Sequence, residues 1–319
     1  MEPEIFDTIV IGAGAAGITA AIYTIRKNLK VLVLTKNIGG QAALSGDIEN
    51  YPGFTMINGA DLAKKFRMEL LNFENKGLWI KEGVEVVDLS GADPDFLVKT
   101  SSGSEYHGKT IIIASGRNPK MLNIPGEKEL FGKGVATCTT CDAPFYKDRD
   151  VAVVGGGNSA LDAAFSLIKV ARSVTIINNT QNLRGDEILM KNVTTSSKVK
   201  ILNNHEALEI LGDKAVGGIK IKSSTGEEQI ITVSGVFIEI GWTPSASFDK
   251  LTDKNDSGEI EVDEYGATSV PGIYACGDVN DSWGEQIVIA AGEGAKTALR
   301  VAEHISKVPH QQTSNIHEG

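Results

Sequence analysis

Two matching stretches decide the fold: DTIVIGAGAAGITAAIYTIRKNLKVLVLTK at residues 7–36 and DVAVVGGGNSALDAAFSLIKVARSVTIINN at residues 150–179. Each runs from an apolar, β-branched segment through a glycine turn and an amphipathic segment to a second apolar segment, and the two align without a gap. This order predicts a βαβ unit of about 30 residues in each stretch. The sequence therefore predicts an α/β fold with two Rossmann-like, three-layer domains, one for each copy.

Both copies carry the spacing G-x-G-x-x-G/A after their first apolar segment. In this fingerprint the first glycine allows a tight turn, the second lets the backbone approach a pyrophosphate, and the third position lets helix and strand pack closely. The helix N-terminus then offers unpaired N–H groups to the phosphates. The matching residues are Gly12, Gly14 and Gly17 in the first copy and Gly155, Gly157 and Ala160 in the second, where Asn158 opens the helix. Glycine turns that bind nothing are the alternative, but two copies in the same context favour two dinucleotide sites.

Two dinucleotide sites in one chain favour electron transfer between two dinucleotides, as in a flavoenzyme. The segment TSVPGIYACGDV at residues 268–279 agrees with this hypothesis, because it reads as a short apolar strand that ends in Gly277 and Asp278. A carboxylate there can accept hydrogen bonds from a polyol such as ribitol, although glycine and aspartate after a strand also form a common turn. Cys276 lies inside the predicted strand, and we expect it to be a small buried apolar residue.

The length of 319 residues, with 41% hydrophobic residues, exceeds what one core usually supports, so we expect two domains. The second copy lies between IIIASGRNPK (residues 111–120) and VFIEIGWTPSASF (residues 236–248), which both read as apolar strands followed by crossings with glycine and proline. We therefore expect an inserted domain at residues 117–243 and a discontinuous first domain at residues 1–116 and 244–319.

Charge narrows the classes of partner. The net charge of −10 disfavours nucleic acid and anionic membrane surfaces. The apolar stretch near the N-terminus predicts neither a secretion signal nor a membrane span, because the preceding MEPEIFD is acidic and glycines interrupt the stretch. We therefore expect a cytoplasmic protein that binds no nucleic acid and no membrane, in a compartment where structural disulfides are disfavoured.

The stretch CTTCDAPFY at residues 138–146 holds two of the three cysteines, Cys138 and Cys141. A disulfide clip, half of a metal site and a redox couple are the three interpretations. A closed zinc site needs four ligands, and the remaining cysteine and the scattered histidines do not supply them at ligand spacing, so we expect no metal. A redox couple is favoured. Asp142, directly after the second cysteine, is placed for proton transfer or, alternatively, only caps the following helix.

Taken together, GAGAAG, GGQAALSGDIENYPGF, CTTCD, GGGNSA and YACGDV…EQIVIAAGEGAKTAL resemble the low-molecular-weight thioredoxin reductases. The similarity spans nearly the whole chain and extends to the reductase portion of the alkyl hydroperoxide reductase flavoprotein. The resemblance implies a homodimer with FAD in the domain built from both chain ends and a pyridine nucleotide in the inserted domain. It also implies thioredoxin or a glutaredoxin-like protein as the partner.

The resemblance also implies roles for single residues. Cys141 would face the flavin, Cys138 would attack the partner, and Asp142 would protonate the leaving thiolate. Further matches to the family lie near the flavin ring, at Gln41, Asn50 and Gln286. Glu285 stands where the family has a cation.

The loop after the second strand of the inserted domain departs from the family. Relatives that use NADPH carry HRR and a further arginine three residues later, whereas Asn178, Asn179 and Thr180 stand here and only Arg184 is kept. Guanidinium groups hold a phosphate best, so their loss favours NADH over NADPH. The acid that usually grips the ribose in NAD-specific sites is missing as well. A ferredoxin or deazaflavin donor and a small-dithiol oxidase are the alternatives, and the intact GGGNSA argues against the first.

Overall fold

The computed structural model describes residues 4–45 and 47–307, and for Asp47, Thr140 and Cys141 it describes only the backbone. Within these residues strands and helices alternate. The strands are β1 (Ile5–Ala13), β2 (Val31–Ile38), β3 (Asp47–Ile48), β4 (Ile57–Asn58), β5 (Leu78–Glu82), β6 (Val86–Ala92), β7 (Asp95–Thr100), β8 (Glu105–Ile113), β9 (Arg117–Pro119), β10 (Val135–Ala136), β11 (Asp150–Val154), β12 (Ser173–Asn178), β13 (Val199–Asn203), β14 (His205–Gly212), β15 (Val216–Ser223), β16 (Glu228–Ile231), β17 (Gly235–Ile238), β18 (Trp242–Pro244) and β19 (Ile273–Ala275). The helices are α1 (Ala15–Ile25), α2 (Gly59–Leu71), α3 (Thr139–Asp142), α4 (Asn158–Ile168), α5 (Glu187–Thr194) and α6 (Ile287–Lys307), with 3₁₀ turns at Gly40–Leu44 and Ala143–Tyr146.

The chain divides into two compact units. The first unit comprises the described residues up to Arg117 and those from Pro244 onward, and the second unit is Asn118–Thr243. The chain passes from one unit to the other through β9 and β18, which pair with each other. Each copy of the repeat forms the expected βαβ unit, as β1-α1-β2 and as β11-α4-β12. The predicted fold class is therefore confirmed.

In the first unit, a sheet is built around β1. Parallel strands follow in the order β5-β2-β1-β8, and β19 pairs in parallel with the carboxyl half of β8. The amino half of β8 pairs with β7 in the antiparallel direction, and β6 continues this meander. Strands β1 and β2 read as continuous apolar runs because both of their faces are buried, as Ile9, Val10, Leu32 and Val33 show.

Helices and a second layer of apolar side chains cover the two faces of this sheet. On one face α1 and α6 bury Ile18 and Val301 in a common core. The other face packs against a cluster that includes Phe96 and Phe248. An added Cβ at Gly294 would lie 2.1 Å from the Ala16 carbonyl oxygen, so α6 crosses α1 at close range. Among the helices of the described ranges, none combines the length and the apolar character that a membrane crossing requires.

The second unit repeats this plan around β11. Its five parallel strands follow the order β10-β17-β11-β12-β13. Helices α4 and α5 cover one face, where Leu161 and Val193 are fully buried. The antiparallel sheet β14-β15-β16 covers the other face with Ile219 and Ile221. Both glycine turns therefore lie at the carboxyl end of the first strand of a βαβ unit, which is the edge where such sheets bind ligands.

Candidate cofactor and redox sites

The first glycine turn joins β1 to α1. Gly12 has a φ of +105°, and an added Cβ would lie 2.2 Å from the Ala114 carbonyl oxygen. A Cβ at Gly17 would lie 2.0 Å from the Gly12 carbonyl oxygen, so any larger residue would separate the helix from the turn. Gly14 occupies the N-cap of α1 and supplies no side-chain cap. The first N–H groups of α1 therefore have no side-chain acceptor and can bind a phosphate.

Amide side chains and one arginine form a polar cluster in the same unit. The Asn50 Nδ2 donates to Gln286 Oε1 at 2.9 Å, and the Gln41 Nε2 donates to the Arg117 carbonyl oxygen at 3.1 Å. The structure thus links Asn50 directly to Gln286 and Gln41 to Arg117. Trp283, close to Gln286 in sequence, is 93% exposed and packs against little.

Arg117 is a residue that the sequence analysis did not identify. Its side chain is 15% exposed, and its Nε donates to the Asp278 carbonyl oxygen at 2.7 Å. The guanidinium also pairs with Glu259 and, at 2.7 Å, with Glu285. Glu285 therefore stands at the sequence position where the family has a cation, and in this protein it forms an ion pair with Arg117. Nothing in the spacing of the sequence indicates this pair, because Arg117 and Glu285 lie far apart in the chain.

Gly277 and Asp278 follow β19 at the carboxyl edge of the sheet. The Gly277 N–H donates to Glu293 Oε2 at 2.8 Å, and this oxygen also accepts from Asn280 Nδ2 at 3.0 Å. Asp278 is half-buried. Burial and Glu285 raise the pKa of Asp278, whereas Arg117 lowers it. A carboxyl group in this position can accept hydrogen bonds from ligand hydroxyls.

Cys276 precedes this turn, one residue beyond the end of β19. The prediction that it lies inside the strand is therefore wrong by one residue, although its N–H still donates to the Ile113 carbonyl oxygen at 3.0 Å. The side chain is free and fully buried, as expected for a small apolar residue. Burial raises the pKa of the Cys276 thiol, which disfavours the nucleophilic thiolate form.

The second glycine turn joins β11 to α4. Gly155 has a φ of +138°, and an added Cβ would lie 2.1 Å from the Glu239 carbonyl oxygen and 3.2 Å from the Ala160 Cβ. Gly157, the N-cap of α4, supplies no side-chain cap, and an added Cβ there would meet nothing within 4 Å. The backbone at this point is therefore open to a ligand, next to a helix end that begins at Asn158.

The loop after β12 is tied to this turn. The Asn158 Oδ1 accepts from the Asp186 N–H at 2.8 Å, and the Arg184 N–H donates to the Gly156 carbonyl oxygen at 2.8 Å. The exposed Arg184 side chain thus begins beside the glycine turn. Among residues 178–186 it is the only cationic side chain.

Asn178, at the end of β12, is committed to internal hydrogen bonds. It is 1% exposed, and its Nδ2 donates to the carbonyl oxygen of Thr180 and to Asn203 Oδ1 at 3.1 and 2.9 Å. Its Oδ1 accepts from the Thr180 N–H and hydroxyl at 3.2 and 3.0 Å. Asn179 and Thr180 are exposed. The position that normally grips a ribose is therefore occupied by an amide with no spare hydrogen-bonding group.

The cysteine segment lies in the same unit. Cys138 is half-buried and disulfide-bonded, while the side chain of Cys141 lies outside the described part of the structure. Asp142 ends α3, and burial raises the pKa of its carboxyl group. It is also the N-cap of the following 3₁₀ turn, but its side chain makes no capping hydrogen bond there. The capping interpretation of Asp142 therefore finds no support.

Glu239 is the second residue that the sequence analysis missed. It follows β17, and its Oε1 accepts a hydrogen bond from the Thr139 hydroxyl at 3.1 Å. Burial raises the pKa of Glu239 from 4.5 to about 7, the Thr139 hydroxyl opposes this shift, and Asp162 adds to it. The available signal was a lone acid directly after a fully apolar strand.

Residues 6–294 match the pyridine nucleotide-disulphide oxidoreductase family, and the chain belongs to this family. It is therefore an oxidoreductase of the class that works with a flavin and a nicotinamide cofactor. The paired glycine turns, with their uncapped helix ends, fit two such dinucleotides.

Several individual proteins are similar to this chain. The chain is 36% identical over 304 residues to the F component of alkyl hydroperoxide reductase from Staphylococcus aureus (strain MRSA252), covering 95% of this chain and 59% of that protein. It is 36% identical over 313 residues to NADH dehydrogenase of Bacillus subtilis (strain 168), with the same two shares. The crystal structure of Lactococcus lactis thioredoxin reductase in its FR conformation superposes with a TM-score of 0.86 at 34% identity, covering 95% of this chain and 100% of that one. The chain thus spans about three-fifths of the length of these curated relatives, and the predicted resemblance is confirmed.

Proposed function

We propose that this chain is an FAD-dependent disulfide reductase that passes electrons from NADH, through FAD and the pair Cys138 and Cys141, to thioredoxin or a thioredoxin-like protein. The observation that carries the proposal is that the disulfide-bonded Cys138 and an uncapped glycine turn belong to the same unit. A unit with both can hold a nucleotide and a redox-active disulfide. The similarity to thioredoxin reductase of L. lactis supports the acceptor, and by the same resemblance we expect a homodimer.

FAD would be held by residues of the first unit. The turn with Gly12, Gly14 and Gly17 would receive the pyrophosphate, because the α1 N–H groups there have no side-chain cap. Asp278 would accept hydrogen bonds from the ribityl hydroxyls. Gln41, Asn50 and Gln286 would lie beside the ring. When bound, the flavin supplies a carrier for two electrons between the nucleotide and the disulfide.

NADH would be held by the second glycine turn. Gly155, Gly157 and Ala160 shape it, Asn158 begins the helix that faces the pyrophosphate, and Arg184 lies beside it. We favour NADH over NADPH because uncharged Asn179 and Thr180 stand where a 2′-phosphate would need guanidinium groups. The name of the B. subtilis relative, NADH dehydrogenase, is consistent with this preference.

Variants at Cys138 test the role of the disulfide. Cys138→Ser protein should keep the reduction of its flavin by NADH, because the nucleotide and flavin residues are unchanged, and should lose the NADH-dependent reduction of thioredoxin. Cys276→Ser protein, altered at the buried free cysteine, serves as the matched control and should keep both activities. Stopped-flow absorbance of the flavin and a thiol assay of thioredoxin measure the two steps. Thioredoxin reduction at the wild-type rate by Cys138→Ser protein would contradict the proposal.

A further inference from the structure

Glu239 connects the second glycine turn with the cysteine segment. Its N–H donates to the Val154 carbonyl oxygen at 2.8 Å, and its own carbonyl oxygen packs against Gly155. Its side chain extends to α3, where the carboxyl group accepts the hydroxyl of Thr139 at 3.1 Å. Thr139 is buried and directly follows Cys138. One acid thus contacts both functional segments of the second unit.

The surroundings of Glu239 are acidic. Asp162 on α4 is the charged group that acts on it, and the pKa of the exposed Asp162 carboxyl is itself raised by loss of hydration and by Asp186. Asp142 lies on the same short helix as Thr139. Lys169, which lowers the pKa of Asp162, is the cation that acts within this group. An added negative charge here is therefore unfavourable, and a proton on Glu239 relieves it.

Reduction of the disulfide adds charge at this place. Two electrons, which in this family come from the pyridine nucleotide through the flavin, break the S–S bond and leave one additional electron pair on each sulfur, so that both become thiolates. Two protons are needed to neutralise both sulfurs. One cysteine takes the first proton. The second proton is shared between the other sulfur and a neighbouring base, so that sulfur and that base titrate as a coupled pair.

We propose that Glu239 is a positioning residue of the redox segment: through the Thr139 hydroxyl its carboxyl group holds the start of α3, and it gains and loses its proton together with the charge on the Cys138 sulfur. The inference rests on the proposed function, in which Cys138 exchanges with the partner. Ionised Glu239 raises the pKa of the Cys138 thiol, because two neighbouring negative charges repel each other. When Glu239 is neutral, the pKa of the Cys138 thiol is lower, so a larger fraction of Cys138 is thiolate.

The test is the pH profile of thiol alkylation in the full-length protein with its flavin bound. The protein is reduced with a phosphine, and the rate at which iodoacetamide modifies Cys138 is followed by mass spectrometry of the peptide. Glu239→Gln keeps an acceptor for Thr139 but cannot ionise. The rate in this variant should equal that of the wild type near about pH 6 and exceed it several-fold above about pH 8.

Two variants at Thr139 distinguish the effect of the hydrogen bond to Glu239 from a general effect on folding. Thr139→Val removes the hydroxyl that stabilises ionised Glu239, so the inflection near neutral pH should move to higher pH, whereas Thr139→Ser should leave it in place. Glu187→Gln, at an exposed acid of α5, is the charge control and should match the wild type.

Superimposable profiles of wild type and Glu239→Gln would overturn the inference, as would a change by the same factor at every pH, since that marks a structural effect only. If Glu239→Gln protein does not fold, the Thr139→Val shift decides. The assay uses neither nucleotide nor thioredoxin, so a failed nucleotide assay would contradict the proposed function without deciding this inference.

Discussion

Three carboxyl groups of the second unit, Asp142, Asp162 and Glu239, show how position changes the chemistry of a residue. Burial is the main cause that raises the pKa in each of them. Because loss of hydration disfavours the charged form, these groups hold their protons more tightly than fully hydrated acids do. In the proposed function, a dithiol that gains and releases protons near neutral pH would benefit from such neighbours.

Glu239 should make the stability of the protein depend on pH. Its pKa of about 7 in the folded state lies above the ordinary 4.5, so its contribution to the free energy of unfolding is fully present below pH 4.5 and is lost as the pH rises through about 7. Relative to wild type, Glu239→Gln should therefore gain about 2–3 kcal/mol between about pH 5 and pH 8. Urea unfolding of the oxidised proteins at both pH values measures this difference. A difference that does not change with pH would contradict the assignment.

In the first unit, the largely buried ion pairs of Arg117 should contribute more to the free energy of unfolding than the exposed ion pair of Arg67. Arg117→Gln removes contacts with Glu259 and Glu285 from a site where the arginine is 15% exposed, so we expect a loss of about 2–3 kcal/mol in the free energy of unfolding. Arg67→Gln removes two contacts to Glu82 of 2.8 Å at an exposed site and should cost less than about 1 kcal/mol. Urea unfolding of both variants compares them. Equal losses would show that burial does not strengthen the Arg117 pairs.

At the scale of elements, the sequence repeat predicted the structural features that depend on contiguous residues. Glycine turns, flanking strands and the apolar strand before Gly277 are contiguous in sequence, and each formed where the pattern indicated, except that the last strand ends one residue before Cys276. The antiparallel layer β14-β15-β16 was not predicted, because its strands are partly exposed and their apolar residues do not form continuous runs. The contacts of Arg117 and Glu239 were missed for a different reason. Their partners lie about a hundred residues or more away, so only the folded topology brings them together.

In the second glycine turn, alanine substitutions at Gly157 and Gly155 should affect different properties, nucleotide binding at the first and stability at the second. Gly157→Ala should change the free energy of unfolding by less than about 1 kcal/mol, because the new Cβ meets no protein atom within 4 Å. It should raise KM for NADH at least about tenfold by filling the space that a pyrophosphate needs. Gly155→Ala should instead destabilise the protein by about 3 kcal/mol or more, because of its positive φ and the 2.1 Å approach to Glu239. Thermal unfolding and steady-state kinetics measure both, and weaker folding of Gly157→Ala than of Gly155→Ala would contradict this reading of the turn.

The loop after β12 predicts a gain of function. Asn179→Arg places a guanidinium on an exposed residue next to the committed Asn178, and we expect it to lower KM for NADPH about tenfold, the effect of one charge-assisted hydrogen bond. Gln181→Arg adds the same charge two residues further along the loop and should have a smaller effect. Initial rates with each nucleotide give the comparison. An equal response from both variants would indicate general charge attraction and no specific phosphate site.

At the scale of the whole molecule, the proposed function divides one electron path between two units of the same plan. The first unit brings a glycine turn, Asp278 and the cluster around Arg117 into one fold, and the second combines a glycine turn with the Cys138 segment. The family assignment supplies the class of reaction. The direction of electron flow, from NADH to a protein disulfide, is the central claim that this division supports.

Anaerobic titration tests that claim most directly. The purified protein is titrated with NADH and separately with NADPH while the absorbance of oxidised flavin is followed, and oxidised thioredoxin is then added. We predict rapid bleaching by NADH, a weak response to NADPH, and recovery of the oxidised flavin with thioredoxin. If neither nucleotide bleaches a flavin that dithionite does reduce, the second unit is not the point of electron entry and the claim is wrong.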